Sequence, residues 1–231
     1  GYRAQLKGPV KVDPRRERAV ELFGDEPTWL AQQLPKTSVF VGRDRVAASW
    51  AAIADCDPQI IVADDGFQHL RLQRQQNIVV LDATEPKWHY WPLPAGRARE
   101  GFRALRRAQL VVISKVNWAD PEQLKWLKAK VQKAVPHLMI AEFEYRIGSF
   151  SRLYPRVGAL QSSGQIIRTD FAQEQGLAVC GIGRPEMFRR GLEDFGIKVV
   201  AEKFYADHFA YSEESLRDIL ELCREKKNKK I

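Results

Sequence analysis

Two adjacent carboxylates close an apolar run in Ile60-Ile61-Val62-Ala63-Asp64-Asp65-Gly66-Phe67-Gln68-His69. A short apolar strand ending in acids delivers them to the C-terminal edge of a sheet, where open α/β proteins bind their ligands. Carboxylates at that edge can hold Mg2+, directly or through water, beside a phosphate. Asp-Asp-Gly is equally ordinary turn chemistry, and Gln68 and His69 add polar groups to the same turn. Gly24-Asp25-Glu26-Pro27 reads locally as a helix start, with Asp25 as cap and Pro27 in the first turn. Leu93-Pro94-Ala95-Gly96-Arg97-Ala98-Arg99-Glu100 is a rigid turn leading into basic residues. Arginine suits phosphate because its planar fork bonds two oxygens at once, although a solvated helix start would look the same. Tyr205-Ala206-Asp207-His208-Phe209-Ala210-Tyr211 sets a histidine beside an acid in a loop between strand and helix, where functional groups concentrate.

These groups need a scaffold, and the hydrophobic pattern supplies one. Apolar, β-branched runs predict strands at 38–42, 59–63, 77–83, 109–114, 138–145, 177–182 and 197–204. Several are apolar on consecutive positions, as expected of strands covered on both faces. Helices are predicted at 26–34, 43–55, 121–135 and 185–195, and from about 213 with Ser212 as cap. The third has Asp120 as cap, Pro121 at the first helical position and Gln123 placed for a capping box. The fourth starts at Pro185 and stops at Gly196. Strands alternating with helices predict an α/β fold with a mostly parallel sheet. The strands near 39–42, 60–63, 78–82 and 110–113 are expected in that one sheet. Residues 146–176 break the pattern and read as a linker between a core domain at 1–145 and a smaller α/β domain at 177–231.

Composition narrows the classes. The chain has 231 residues, 45% hydrophobic and 29% charged, ordinary for a globular protein. No apolar run approaches the roughly 20 residues of a membrane helix. Three widely separated cysteines, Cys56, Cys180 and Cys223, have no metal-ligand spacing and point to a reducing compartment without a zinc site. The net charge is +8, and residues 224–231 hold five basic groups and one acid. A basic helix end suits the negative pole of the helix dipole, and it equally suits an anionic lipid surface. A nucleic-acid-binding protein is a weaker reading, because the aromatics are scattered and no recognition signature accompanies the charge.

Taken in order, these motifs resemble the tetraacyldisaccharide 4'-kinase (lipid A 4'-kinase) family. The resemblance is carried by Gly1-Tyr2, Gly24-Asp25-Glu26-Pro27, Gly42-Arg43-Asp44-Arg45, Asp64-Asp65-Gly66-Phe67-Gln68-His69 and Leu93-Pro94-Ala95-Gly96 with Arg99-Glu100. Gly181-Ile182-Gly183 before Pro185, and Asp207-His208 with Tyr211, complete it. It implies a P-loop kinase core and a second, smaller α/β domain, with the active site in the cleft between them. The implied reaction moves the γ-phosphate of ATP, with Mg2+, to the 4'-hydroxyl of a tetraacyldisaccharide 1-phosphate. The implied setting is the cytoplasmic face of a bacterial inner membrane, with peripheral contact to its anionic surface and no nucleic-acid partner.

The resemblance also implies roles. Asp25 is the base toward the sugar hydroxyl, oriented or tuned by His208 across the cleft. Asp64 and Asp65 are the acids serving Mg2+. Glu26, Gln68, His69 and Glu100 line the nucleotide and metal side, and Tyr2, Arg45 and Arg99 face phosphate or lipid headgroup. Two departures stand out. Arg97-Ala98 occupies the place where the family usually has Pro-Leu, and no Gly-x-x-x-x-Gly-Lys-Ser/Thr loop occurs among the 231 residues. The resemblance places that loop upstream and implies a chain truncated at both ends. By itself it is then expected not to turn over ATP, leaving a non-catalytic lipid- or saccharide-binding module as the alternative.

Overall fold

A computed structural model describes residues 8–148, 150–156, 159–166 and 175–228. In chain order its elements are β1 (Val10–Lys11), α1 (Ala19–Phe23), α2 (Asp25–Gln33), β2 (Phe40–Val41), α3 (Arg45–Cys56), β3 (Ile78–Asp82) and β4 (Leu110–Ser114). Next come α4 (Pro121–Ala134), β5 (Met139–Phe143), β6 (Phe150–Arg156), β7 (Ala159–Ile166), β8 (Gln175–Cys180), α5 (Pro185–Asp194), β9 (Lys198–Phe204) and α6 (Glu213–Asn228). The chain divides into two units, Gly1–Ser114 with Ala119–Glu142 and Lys115–Trp118 with Phe143–Ile231.

In the first unit β3 and β4 pair in parallel, from Ile78 opposite Leu110 to Asp82 opposite Ser114. β5 lies on the other side of β4, giving the order β3-β4-β5. β4 buries Val111, Val112 and Ile113 on consecutive positions, so both of its faces are covered. α4 buries Leu127 and Val131 one turn apart, and it packs against the 3-10 turns of Phe102–Arg107. Asp120 caps it as expected, its Oδ1 accepting from the Gln123 amide at 2.9 Å, with Pro121 at the first position. The side chain of Gln123 does not close the expected capping box. Its Nε2 donates instead to the Glu85 carbonyl at 2.7 Å, tying α4 to the loop after β3.

Two expectations for this unit do not hold. The strand near 38–42 is short, and it pairs antiparallel with β1, Val10 opposite Val41 and Lys11 opposite Phe40. It therefore belongs with a small core of Val12, Ala19, Phe23 and Val41, built around α1, which the pattern did not reveal. Residues 59–63 form no ladder among the described residues, and Ile60 and Val62 are 80% and 90% exposed. Apolar composition suits a segment to a strand, but a ladder also needs a second backbone edge alongside.

In the second unit β8 and β9 pair in parallel, from Gln175 opposite Lys198 to Cys180 opposite Phe204, with α5 as the crossover. α5 starts at Pro185 and ends where Gly196 takes φ 100°. Gly196 N donates to Glu193 O at 2.9 Å and Ile197 N to Leu192 O at 3.0 Å, closing the helix end as the glycine predicts. α6 opens with a reciprocal cap. Ser215 N donates to Ser212 Oγ, and Ser212 N donates to Ser215 Oγ. The segment that broke the pattern holds an antiparallel pair, β6 with β7, from Phe150 opposite Ile166 to Arg156 opposite Ala159. Its sequence is too polar to show period-two alternation.

If the Asp120 carboxylate holds the start of α4 as the geometry indicates, Asp120→Ala costs about 1 kcal/mol and Asp120→Asn much less, because asparagine caps about as well. Urea unfolding of the two variants against the parent chain checks this.

Candidate functional site

The acid turn is built from the backbone outward. Asp65 sits in the left-handed region at φ 47°. A Cβ on Gly66 would lie 3.1 Å from both the Cβ and the carbonyl oxygen of Ala63. The turn continues through His69 N to Gly66 O and Leu72 N to His69 O, both at 3.0 Å. The Arg74 guanidinium closes it from beneath. Its Nη1 donates to the carbonyls of Gly66 at 2.8 Å and His69 at 2.7 Å, and its Nη2 reaches Phe67 O at 3.4 Å. Arg74 Nε donates to Asn77 Oδ1 at 2.7 Å. Asn77 in turn donates from its backbone to Gln109 Oε1 and from its side chain to Arg107 O. The turn is thus tied to the residues that lead into β4.

On that platform the structure brings together four of the residues picked out by sequence, Asp65, Gln68, Arg99 and Glu100. Arg99 Nη1 contacts both Asp65 oxygens, at 2.8 and 2.9 Å, and Gln68 Oε1 at 3.3 Å. Gln68 Nε2 donates to Glu100 Oε1 at 3.1 Å, and Arg107 Nη2 donates to the same oxygen at 2.7 Å. The Arg107 guanidinium also lies 4.4 Å from the centre of the Phe67 ring. Hydrogen bonding from Arg107, then from Gln68, holds the Glu100 carboxyl below the ordinary glutamate range. Asp64 stands exposed beside this group. Neither Arg74, Asn77 nor Arg107 was singled out by sequence, where each reads as one more solvated polar residue.

A neighbouring stretch approaches the same turn. Asp44 caps α3, accepting from Val46 N at 2.9 Å and Ala47 N at 3.1 Å. These amides, with the nearby charges of Arg71 and His69, hold its carboxyl below the usual range. Arg45 is the first residue of α3, and its Nη1 donates back to the Gly42 carbonyl. The Gly96 turn is set by close approach, since a Cβ there would lie 2.1 Å from Trp88 O and 2.3 Å from Trp91 O. No other residue fits.

Asp25 and Glu26 are exposed in the first turn of α2. Asp25 is not the cap. Gly24 takes that place with φ 99° and ψ 157°, a conformation open essentially to glycine, and no side chain bonds the helix start as a cap. Asp25 Oδ1 accepts from Glu26 N at 2.9 Å. Beneath, the buried Thr28 hydroxyl bonds Gly24 O at 2.7 Å, fixing the junction of α1 and α2.

His208 belongs to the second unit, where loops after β8 and β9 meet. His208 N donates to Gly181 O at 3.1 Å, and Tyr205 N to Cys180 O at 2.9 Å. A Cβ on Gly181 would lie 3.1 Å from Ala206 O and from Phe209 Cβ, and one on Gly183 would lie 3.6 Å from Asp207 Oδ2. His208 is exposed and held at φ 55°. Behind it Tyr205 stacks on Phe209 at 4.4 Å, and Tyr211 meets both rings edge-on at 5.3 and 5.4 Å. Burial pushes the Tyr211 hydroxyl above its usual pKa. The two motifs matched by sequence on either side of α5 therefore share one loop edge. Tyr2 lies outside the described residues.

Among the described residues no group of three or more His, Cys, Asp or Glu side chains is placed to hold a metal ion. Mg2+ needs no such cage, because it keeps several waters and takes one or two carboxylates with the phosphates of its ligand. Asp64 and Asp65, adjacent and exposed, fit that requirement.

The first unit is a parallel α/β scaffold that brings carboxylates and arginines together at one turn, a charge arrangement able to meet both a cation and an anion. The profile of the LpxK family, tetraacyldisaccharide-1-P 4'-kinase, matches residues 1–231. The chain is 34% identical over 219 residues to the tetraacyldisaccharide 4'-kinase of Bdellovibrio bacteriovorus, covering 94% of this chain and 61% of that protein. It is 36% identical over 201 residues to that of an Anaeromyxobacter species, covering 85% of this chain and 51% of the relative. The crystal structure of LpxK from Aquifex aeolicus in complex with ATP superposes with a TM-score of 0.63 at 27% identity, over 92% of this chain and 61% of that one. The chain belongs to the tetraacyldisaccharide-1-P 4'-kinase family, and it spans 51% to 61% of the length of these relatives.

Arg74→Lys keeps the charge but loses the fork that grips three carbonyls. It is expected to cost about 1–3 kcal/mol and to speed amide hydrogen exchange over residues 66–72 selectively. Glu100→Gln tests the second support. A carboxylate whose folded pKa is depressed adds stability above its ordinary pKa, and that stability is lost as pH falls through the folded value. The variant is therefore less stable than the parent at neutral pH, and the difference closes below the ordinary glutamate range in pH-dependent urea melts.

Proposed function

We propose that this chain is the catalytic part of a kinase that transfers the γ-phosphate of ATP to the 4'-hydroxyl of a tetraacyldisaccharide 1-phosphate. The observation that carries the reading is the Asp65–Arg99 pair with Gln68 and Glu100 around it. A carboxylate and a guanidinium held face to face are complementary to a cation and a phosphate. Exposed ion pairs of this kind hold little net energy, so a ligand can exchange for either partner at small cost. Asp64 and Asp65 would hold Mg2+, which supplies charge neutralisation for the phosphates when bound. Arg99, once released from Asp65, takes a phosphate oxygen as a planar donor. Gln68, His69, Glu26 and Glu100 line the nucleotide side, and Arg45, with Tyr2, faces phosphate or headgroup.

Asp25 is the proton acceptor for the attacking hydroxyl, and His208 supports it in that task. An exposed carboxylate at a helix start has its charge favoured by the local amides, and a histidine is the usual group for tuning such a base. Because the 231 residues contain no Gly-x-x-x-x-Gly-Lys-Ser/Thr loop, turnover is proposed to need that loop from sequence beyond them. Work at the cytoplasmic face of an inner membrane follows from the lipid substrate.

The test is phosphate transfer from labelled ATP to the disaccharide in detergent, in a form of the protein that carries the phosphate-binding loop. Asp65→Asn, Arg99→Ala and Asp25→Asn are each expected to lower kcat by about 100-fold or more. Asp25→Asn with His208→Ala should be little worse than either alone if the two act as a unit. Near-normal turnover in a folded Asp25→Asn protein would remove the proton-acceptor role. Robust turnover by residues 1–231 alone would remove the requirement for the loop.

A further inference from the structure

We infer that the surface around Trp88, Trp91 and Leu93 is a docking face for an anionic lipid bilayer. These three side chains stand in or beside the Gly96 turn, 51%, 50% and 72% exposed. Their backbone is fixed by close approach, since the Trp88 and Trp91 carbonyls converge on the buried Gly96, and Tyr90 of the same stretch packs with Phe102 and Trp126, ring centres 5.8 to 6.2 Å apart. Exposed apolar side chains clustered on a backbone fixed in this way mark a binding surface more than scattered single ones do.

The charge around these rings is mostly positive, with the Glu85 carboxylate held on His89 beside Trp88 as the exception. Residues 86–99 contain no acid, and residues 125–133 of α4 hold four lysines and no acid. Lys130 Nζ lies 5.6 Å from the Trp91 ring and 5.7 Å from the Trp126 ring, Lys87 lies 5.5 Å from Trp126, and Arg97 lies 5.9 Å from Trp88. Tryptophan with lysine and arginine is the composition that settles at a membrane interface, the rings at headgroup depth and the cations among phosphates. Single-stranded nucleic acid also binds aromatics among cations, but by stacking bases on open ring faces. Here cations already lie against the indole rings, and the aliphatic Leu93 projects at the turn, which favours a lipid interface over a base.

The surface deepens the reading of a lipid substrate and rests on it for its purpose, since an enzyme drawing that substrate from a membrane must sit on one. Each cation near an anionic surface adds to attraction that falls off within a Debye length, so the docking is salt-sensitive.

The experiment is co-sedimentation of the 231-residue chain with vesicles of phosphatidylcholine alone and of phosphatidylcholine mixed with phosphatidylglycerol. The parent chain is expected to bind the mixed vesicles more tightly. Trp88→Ala with Trp91→Ala should weaken that binding by about tenfold. Leu93→Ser, at a site exposed enough to leave folding intact, should weaken it by a smaller factor. Lys87→Gln with Lys130→Gln should erase the preference for phosphatidylglycerol, with circular dichroism reporting that each variant is folded. Three results overturn the inference: no vesicle binding by the parent, binding that the tryptophan and Leu93 variants leave unchanged, or self-association or oligonucleotide binding through the same tryptophans without vesicle binding. Kinase activity in detergent needs no bilayer. Absence of vesicle binding by the parent chain, with phosphate transfer present in the loop-bearing protein, therefore sinks the docking face alone, whereas vesicle binding by the parent with no transfer in the loop-bearing protein sinks the kinase reading.

Discussion

Backbone carbonyls drawn into a tight turn must find donors, because an unpaired polar group costs more than an ordinary hydrogen bond returns. In the first unit one guanidinium meets that demand for three of them. Arg74 holds the carbonyls of Gly66, Phe67 and His69, and it is itself held by Asn77, which is bonded to Arg107 and Gln109. Asp65 keeps its left-handed backbone because the turn that follows is closed. Arg99, Gln68 and Glu100 then find fixed partners above it. A fork with five donors in one plane does this better than an ammonium, whose hydrogens point apart.

Close approach of backbone to backbone is the second organising device, and it recurs in each unit. At Gly96 a Cβ would overlap two carbonyl oxygens, and at Gly181 it would press on Ala206 O and Phe209. The first glycine lets a loop close on the Trp88 and Trp91 carbonyls. The second lets the turn after β8 touch the turn after β9, which presents His208 at the end of a parallel pair. Both loops carry the groups on which the functional readings rest. Their shape depends on residues with no chemistry of their own.

The ion pairs at the acid turn are exposed, and exposed pairs hold little net stability. Their value is positional. A carboxylate and a guanidinium that hold one another stay charged, oriented and easily displaced, which suits a surface meant to exchange them for a cation and a phosphate. Glu100 differs in degree, since two donors converge on one oxygen and its proton affinity drops accordingly.

Much of the local structure was legible in the chain. β3, β4, β8 and β9 were readable because β-branched apolar runs bias their own backbone. α4 and α5 were readable because Asp120, Pro121, Pro185 and Gly196 act within one turn of themselves. The motifs at 64–69, 93–100, 181–183 and 207–208 were legible as motifs, and with them the family. Partner choice was not. The same kind of apolar run pairs antiparallel with β1 at Phe40–Val41 and pairs with nothing described at 59–63. Gln123, spaced for its own helix cap, bonds Glu85 instead. Asp25 yields the cap to Gly24. Arg74 and Arg107, indistinguishable in sequence from surface arginines, prove to hold the acid turn. Local bias is set by the residue and its nearest neighbours, so it is written in the sequence; which distant group satisfies a donor or an edge depends on what the folded chain brings within three ångströms, and only the tertiary structure decides that.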